Sequence, residues 1–208
     1  MVDPRALNEL LPDWLQHEDA CPLAGSPVQR DQMRLLTRRW ALPLPVPPAL
    51  HNRGNYIGSL AELVRWLGRR AEQLGVDIYA GFAGNALLAE QGVVVGAATN
   101  DVGVDRHGRP KASYERGMAL RAKVTLLAEG CHGSLSKQAI AQYGLRQGRS
   151  FQTYGLGLKE VWQLSGAQRA RHHQPGLVVH GVGWPLDAAT YGGCFMYHYG
   201  DGLVSVGL

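Results

Sequence analysis

The chain has 208 residues, 45% hydrophobic and 18% charged, enough apolar chain to bury a core as one large or two small domains. With 21 basic against 17 acidic residues, the formal charge of +4 is mild and scattered, with no block of like charge, which argues against nucleic acid as a partner. Cys21, Cys131 and Cys194 lie far apart and form no C-x-x-C pair. That spacing indicates neither a disulfide framework nor a zinc knot, and since no apolar run approaches the roughly 18 residues of a spanning helix, any membrane contact is expected to be peripheral.

Residues 1–28 carry turn formers and predict a short helix and loop. The stretch "DQMRLLTRRWALPLPVPP" predicts a strand running into a sheet edge, because Pro43, Pro45, Pro47 and Pro48 cannot donate to a ladder. The clearest helix spans 59–74. Ser59 and Glu62 have capping-box spacing, and Leu60, Leu63, Val64, Leu67, Ala71 and Leu74 form one apolar stripe, with Gly75 placed to end it. Short strand-like runs follow: "VDIYAG", then "AGNALLAE" and "VVVGAAT" around a Gln91-Gly92 turn, and finally "ALRAKVTLLAEG". The turn-rich excursion "TNDVGVDRHGRPKASYERG" lies between the last two. From about residue 150 the composition shifts to glycine-rich β runs, "FQTYGLGLKEVWQL", "LVVHGVGWPLD" and "TYGGCFMYHYGDGLVSVGL". The last reads as a hairpin turning near Gly200-Asp201-Gly202, with Phe195, Tyr197 and Tyr199 on one face. Paired glycines inside a strand weaken it, so Gly192-Gly193 suggests close approach of a flat ligand to the backbone, with a β-bulge as the alternative.

The segment "LLAEGCHGSLSKQ" carries the most chemistry. An apolar run expected to be a buried strand stops at Glu129-Gly130, and a helix over roughly 134–143 follows, stopped by Gly144. Glycines admit a ligand close to the backbone, a helix N-terminus presents free amides, and an acid at the strand end can accept a ribitol or ribose hydroxyl. This resembles the acid-glycine motif of the FAD-dependent glutathione-reductase-like superfamily, with Glu129 in place of the usual aspartate. That superfamily's G-x-G-x-x-G fingerprint does not occur before residue 59. Cys131 reads as a small filler without a resolving partner, and His132 fits an exposed loop as well as a cofactor contact. Thr99 to Gly103, and His51, Asn52, Gly54 and Asn55, are polar glycine-containing turns for which turn chemistry and ligand contact are both open.

Longer stretches are more specific. "DPRALNELLPDW", "HNRGNYIGSLAELVRWLGRRAEQLGVDIYAGF", "TNDVGVDRHGRPKASYERGMALRAKVTLLAEGCHGSLSKQ", "QTYGLGLKEVW" and "VGWPLDAATYGGCFMYH" resemble the electron transfer flavoprotein–ubiquinone oxidoreductase family over essentially the whole chain. The resemblance implies a mixed α+β and α/β fold: residues 1–150 as part of a glutathione-reductase-like FAD-binding layer sandwich with an inserted hairpin, and 151–208 as part of a β-sheet-based ubiquinone-binding domain. It implies electron transfer from reduced electron transfer flavoprotein through FAD to ubiquinone, peripherally on a mitochondrial inner or bacterial membrane. It also implies that this is a central segment of a longer protein. Glu129, Gly130 and Ser134 are then expected on the flavin side, and Tyr191, Gly192 and Gly193 at the quinone. The family's [4Fe-4S] cluster is not expected here, since three scattered cysteines cannot supply four thiolates. The alternatives are an inactive structural fragment, or a related FAD-dependent reductase or hydroxylase.

Overall fold

A computed structural model describes residues 1–16, 20–187 and 189–208. Sheets dominate it, with a few short helices, and the chain packs as two compact units, Met1–Asp77 with Tyr154–Leu208, and Ile78–Thr153.

The first unit is built on six strands: β1 (Arg30–Leu36), β2 (Ala41–Leu44), β8 (Lys159–Gln163), β9 (Leu177–Gly183), β10 (Cys194–Tyr199) and β11 (Leu203–Gly207), in the order β2-β1-β9-β10-β11-β8. All neighbours are antiparallel except β1 with β9. The proline-rich β2 takes the edge, where a missing N–H breaks no ladder. The β10–β11 hairpin turns at Gly200 to Gly202, as expected, with Gly200 (φ 52°) and Gly202 (φ 77°) in left-handed conformations that favour glycine. Because β1 sits between β2 and β9, packing does not divide the chain near residue 150: residues 1–77 join the C-terminal strands, and the chain re-enters this unit at Tyr154.

Two helices of this unit, α1 (Arg5–Leu10) and α2 (Leu60–Gln73), enclose a core of Leu7, Trp14, Cys21, Leu23, Leu63 and Trp66. The Ser59 hydroxyl accepts the Glu62 amide at 3.4 Å, and Gly75 ends α2 in a left-handed turn. The expected stripe needs correction, however. Leu63 and Trp66 are buried and Leu67 is half-buried, whereas Leu60, Val64 and Leu74 are exposed. Trp66 shifts the buried face by about one position because its large ring captures the contact with Trp14's cluster. A second core of Val28, Ile57, Val178 and Tyr199 lies under the sheet. The short helix α4 (Gly166–His172), not foreseen in the sequence, follows β8.

The second unit holds a three-stranded sheet in the order β3-β4-β7 (Gly84–Glu90, Val93–Thr99, Ala119–Arg121), the small hairpin β5–β6 (Val102–Val104, Pro110–Glu115) and helix α3 (Leu135–Gln142). Gln91 (φ 50°) and Gly92 (φ 82°) form the expected two-residue turn. Two strand expectations fail. "VDIYAG" is not a strand, and the ladder of "ALRAKVTLLAEG" ends at Arg121, leaving Val124 and Leu126 exposed. An apolar run becomes a strand only where a neighbouring strand accepts its hydrogen bonds; Ala122 still donates to the Val95 carbonyl of β4 at 3.0 Å, but none of the described strands pairs with 123–129.

Candidate functional site

Two places carry the candidate residues, one in each unit. In the second unit the carboxylate of Glu129 closes the first turn of α3. It accepts the backbone amides of Leu135 at 3.0 Å and Ser136 at 2.7 Å, and the Ser136 hydroxyl at 2.7 Å. These bonds, the Ser136 hydroxyl first, hold its pKa down at about 2. Ser134, at the cap position, makes no side-chain cap bond, so the acid five residues upstream does that work. Gly130 (φ 74°) has open space on its Cβ side, and Gly133 (φ 56°) leaves room for Ser136, whose Cβ would lie 2.7 Å from an added methyl group.

The turn therefore fits one part of a flavin dinucleotide better than another. The amides that a phosphate would need already serve a fixed carboxylate, whereas that carboxylate keeps lone-pair capacity for a hydroxyl donor, and Ser134 keeps its own hydroxyl. The residues present fit a ribitol or ribose hydroxyl beside Gly130, not a pyrophosphate.

In the first unit, the loop between β9 and β10 presents Tyr191, Gly192 and Gly193. Asp187 folds it locally: its carboxylate accepts the amides of Ala189 at 3.0 Å and Thr190 at 2.9 Å and the Thr190 hydroxyl at 2.8 Å, bonds that lower its pKa, the hydroxyl first. Ala188 of this segment lies outside the described residues. Tyr191 stands fully in solvent, and Trp184, at a cis Trp184-Pro185 bond, is 54% exposed. Gly192 and Gly193 precede β10 rather than interrupting it, which corrects the mid-strand reading. A Cβ on Gly193 would lie 2.7 Å from the Gly181 carbonyl of the adjoining strand, so that glycine is required by backbone packing alone. A Cβ on Gly192 would meet only the flexible tip of Leu186.

Along β10 the expected aromatic row forms. Phe195 and Tyr197 stack at 4.6 Å and 24°, and Gly207 leaves room for the Phe195 ring. A cavity of about 370 Å³ opens beside this row, lined among others by Ile57, Ser59, Lys159, Phe195, Tyr197 and Ser205. The sequence reading missed His180 on the facing strand β9, whose Nε2 lies 2.9 Å from the Tyr197 hydroxyl. A lone histidine in the apolar alternation "LVVHGVG", at a position facing the aromatics, was the available signal. Burial pushes the His180 pKa below the ordinary imidazole value against the opposing pull of Asp31, and pushes that of Tyr197 up. Of the other polar turns, Asn52 donates from its amide and side chain to Asp31 at 2.9 and 2.7 Å, and Asp101 accepts Gly117 and Tyr114. These bonds tie each turn to a distant segment, Asn52 to β1 and Asp101 to β6 and the loop that follows it. Cys131 is exposed, not a buried filler. Among the described residues no cluster of three His, Cys, Asp or Glu could hold a metal ion.

The solvent-facing glycine loop thus leads into β10, which carries the stacked Phe195 and Tyr197 and, through Tyr197, the hydrogen bond to His180. Residues 154–208 match the family model described as ETF-QO, ubiquinone-binding. Over its whole length the chain is similar to electron transfer flavoprotein–ubiquinone oxidoreductases. It is 49% identical over 211 residues to the mitochondrial protein of Bos taurus, covering 99% of this chain and 33% of that one. It is also 49% identical to the probable mitochondrial protein of Schizosaccharomyces pombe (100% and 32%), and 46% identical to that of Oryza sativa (100% and 35%). The chain thus spans about a third of the length of the curated relatives it matches.

Proposed function

We propose that the chain is part of an electron transfer flavoprotein–ubiquinone oxidoreductase that passes electrons from reduced electron transfer flavoprotein through FAD to ubiquinone. Tyr191, Gly192 and Gly193 contact the quinone headgroup, within a ubiquinone-binding domain that includes 151–208. Glu129, Gly130 and Ser134 contact the flavin from within 1–150, as part of the glutathione-reductase-like layer. The single observation that carries this reading is the exposed Gly192-Gly193 loop beside the aromatic row of β10, inside the stretch similar to a ubiquinone-binding family. The flavin, when bound, supplies the one- and two-electron chemistry. The residues of this chain bind and orient: Glu129 or Ser134 to a polyol hydroxyl, the amides of the glycine loop to a quinone oxygen, Phe195 and Tyr197 against a flat ring. No helix among the described residues is long and apolar enough to cross a membrane, which is compatible with the peripheral membrane placement that belongs to this reading.

The test is saturable binding of ubiquinone-1 to the purified chain, followed by equilibrium dialysis and by quenching of the exposed Trp184. Gly192→Val adds bulk where only Leu186 must yield, so the variant folds and its affinity falls about tenfold or more. Gly193→Val is unsuitable because it collides with the Gly181 carbonyl. Absence of saturable binding to the parent chain, or unchanged affinity in Gly192→Val, overturns the assignment.

A further inference from the structure

On the reading that a quinone sits at Gly192-Gly193, we infer that His180 is the side chain that donates a hydrogen bond to a quinone carbonyl oxygen, with Tyr197 fixing the tautomer that makes it a donor.

The placement follows from strand register. Phe195 stands opposite His180 and Tyr197 opposite Val178. The same antiparallel step that sets Cys194 opposite Gly181 brings Gly193 beside Val182, whose Cγ1 is 3.9 Å from the position of a Gly193 Cβ. Side chains two residues apart share a sheet face, so His180 is the diagonal neighbour of Tyr197 on one side and of Gly193 on the other. Diagonal neighbours lie about 7–8 Å apart, a gap that an imidazole and a hydrogen bond to a ring carbonyl can span. The contacts agree with this common face: the rings of His180 and Tyr197 meet edge-on at 5.6 Å, and Tyr197 stacks on Phe195.

The hydrogen bond at 2.9 Å then decides which nitrogen holds the proton. A phenol is a far stronger acid than a neutral imidazole N–H, so the Tyr197 hydroxyl donates and Nε2 accepts, leaving the proton of the neutral ring on Nδ1. Among the described residues no hydrogen bond is made by Nδ1. Burial keeps the ring neutral at pH 7, with Asp31 the one charged group opposing that effect. Asp31 accepts two hydrogen bonds from Asn52, and the hydroxyl of Tyr197 lies against His180 instead. The result is a half-buried N–H donor without a partner, on the face where the ring of a quinone would lie. Ubiquinone offers only acceptors at its carbonyls, which is what such a donor needs.

The experiment uses ubiquinone-1 labelled with ¹³C at its ring carbonyls and bound to the chain. Infrared difference spectra report the carbonyl stretch, and ¹⁵N chemical shifts report the His180 tautomer. In the parent, one carbonyl stretch moves to lower frequency on binding, and the Nδ1 shift moves with it. His180→Phe keeps the flat ring but loses the displaced band and about three- to tenfold in affinity, the size of one hydrogen bond. His180→Asn, whose amide N–H superposes on Nδ1, restores the band. Tyr197→Phe keeps the stack on Phe195 but raises the share of the Nε2–H tautomer and weakens the displaced band. If the parent binds quinone and His180→Phe leaves its carbonyl spectrum unchanged, the role of His180 is wrong while the quinone site stands. If His180→Phe does not fold, a parent Nδ1 shift that stays constant on adding quinone overturns that role equally. If the parent binds no quinone, the site and the inference fall together.

Discussion

Both carboxylate oxygens of Glu129 point into the first turn of α3, and that sets a pH dependence. Its folded-state pKa of about 2 lies below the ordinary value of 4.5, so its contribution to the helix is complete above about pH 4.5 and lost as pH falls through about 2. Protection of the Ser136 amide, its exchange rate taken against the intrinsic rate at each pH, should fall over that window, and in Glu129→Gln it should be low at all pH values; constant protection in the parent would refute the cap. His198 runs the other way. It is 5% exposed, its Nδ1 accepts the Gln174 amide at 3.2 Å, its Nε2 is buried without a partner, and burial followed by the neighbouring His173 lowers its pKa. The unfolded chain therefore takes up protons first as pH drops. Stability is unaffected above about pH 6.5 and falls below it, with His180 adding to the same trend. The urea midpoint should decline between pH 7 and 5, and less steeply in His198→Phe; equal slopes would dismiss His198 as a contributor. At this scale the sequence made the acid and the glycines legible but not their partners. Glu129 reads in the sequence as an acceptor for a ligand hydroxyl, and only the register of α3 reveals the amides it holds. Gly193 likewise reads as ligand space until the Gly181 carbonyl is seen against it.

Helix α2 shows what a periodic pattern conveys and where it stops. Its ends were legible because Ser59 and Gly75 act locally. Its buried face was not, because Leu63 and Trp66 are chosen by Trp14 and Leu7, residues some fifty positions away. Trp66, 1% exposed, fills that cluster, so Trp66→Ala should destabilise the first unit by about 3–5 kcal/mol in urea unfolding. Val64, 57% exposed, belonged to the expected stripe, yet Val64→Ala should change stability by no more than about 0.5 kcal/mol. Similar losses from the two substitutions would mean the helix is rotated from the orientation described. The β10–β11 hairpin was legible for the same local reason as the caps, its glycine turn. The run 122–129 was not, since an apolar segment carries no mark of whether a neighbour exists to pair it.

For the molecule as a whole, burial is uneven between the two units. Both buried clusters belong to the unit of Met1–Asp77 and Tyr154–Leu208. In Ile78–Thr153 the buried side chains are few, chiefly Thr99 and Leu135, while Phe82, Val124, Leu126 and Phe151 stand in solvent. Stability follows buried apolar contact, so opening free energies should be lowest around 122–129 and highest in β9–β10–β11. Hydrogen exchange should protect Val178 and Tyr197 longest, and a nonspecific protease should cut 122–129 first. Exposed apolar surface on this scale also drives association, so the purified chain should sediment as concentration-dependent oligomers that a mild detergent disperses. A monomer that melts in one sharp cooperative transition, with equal protection in both units, would show that the second unit has a core of its own and that its exposed side chains are covered.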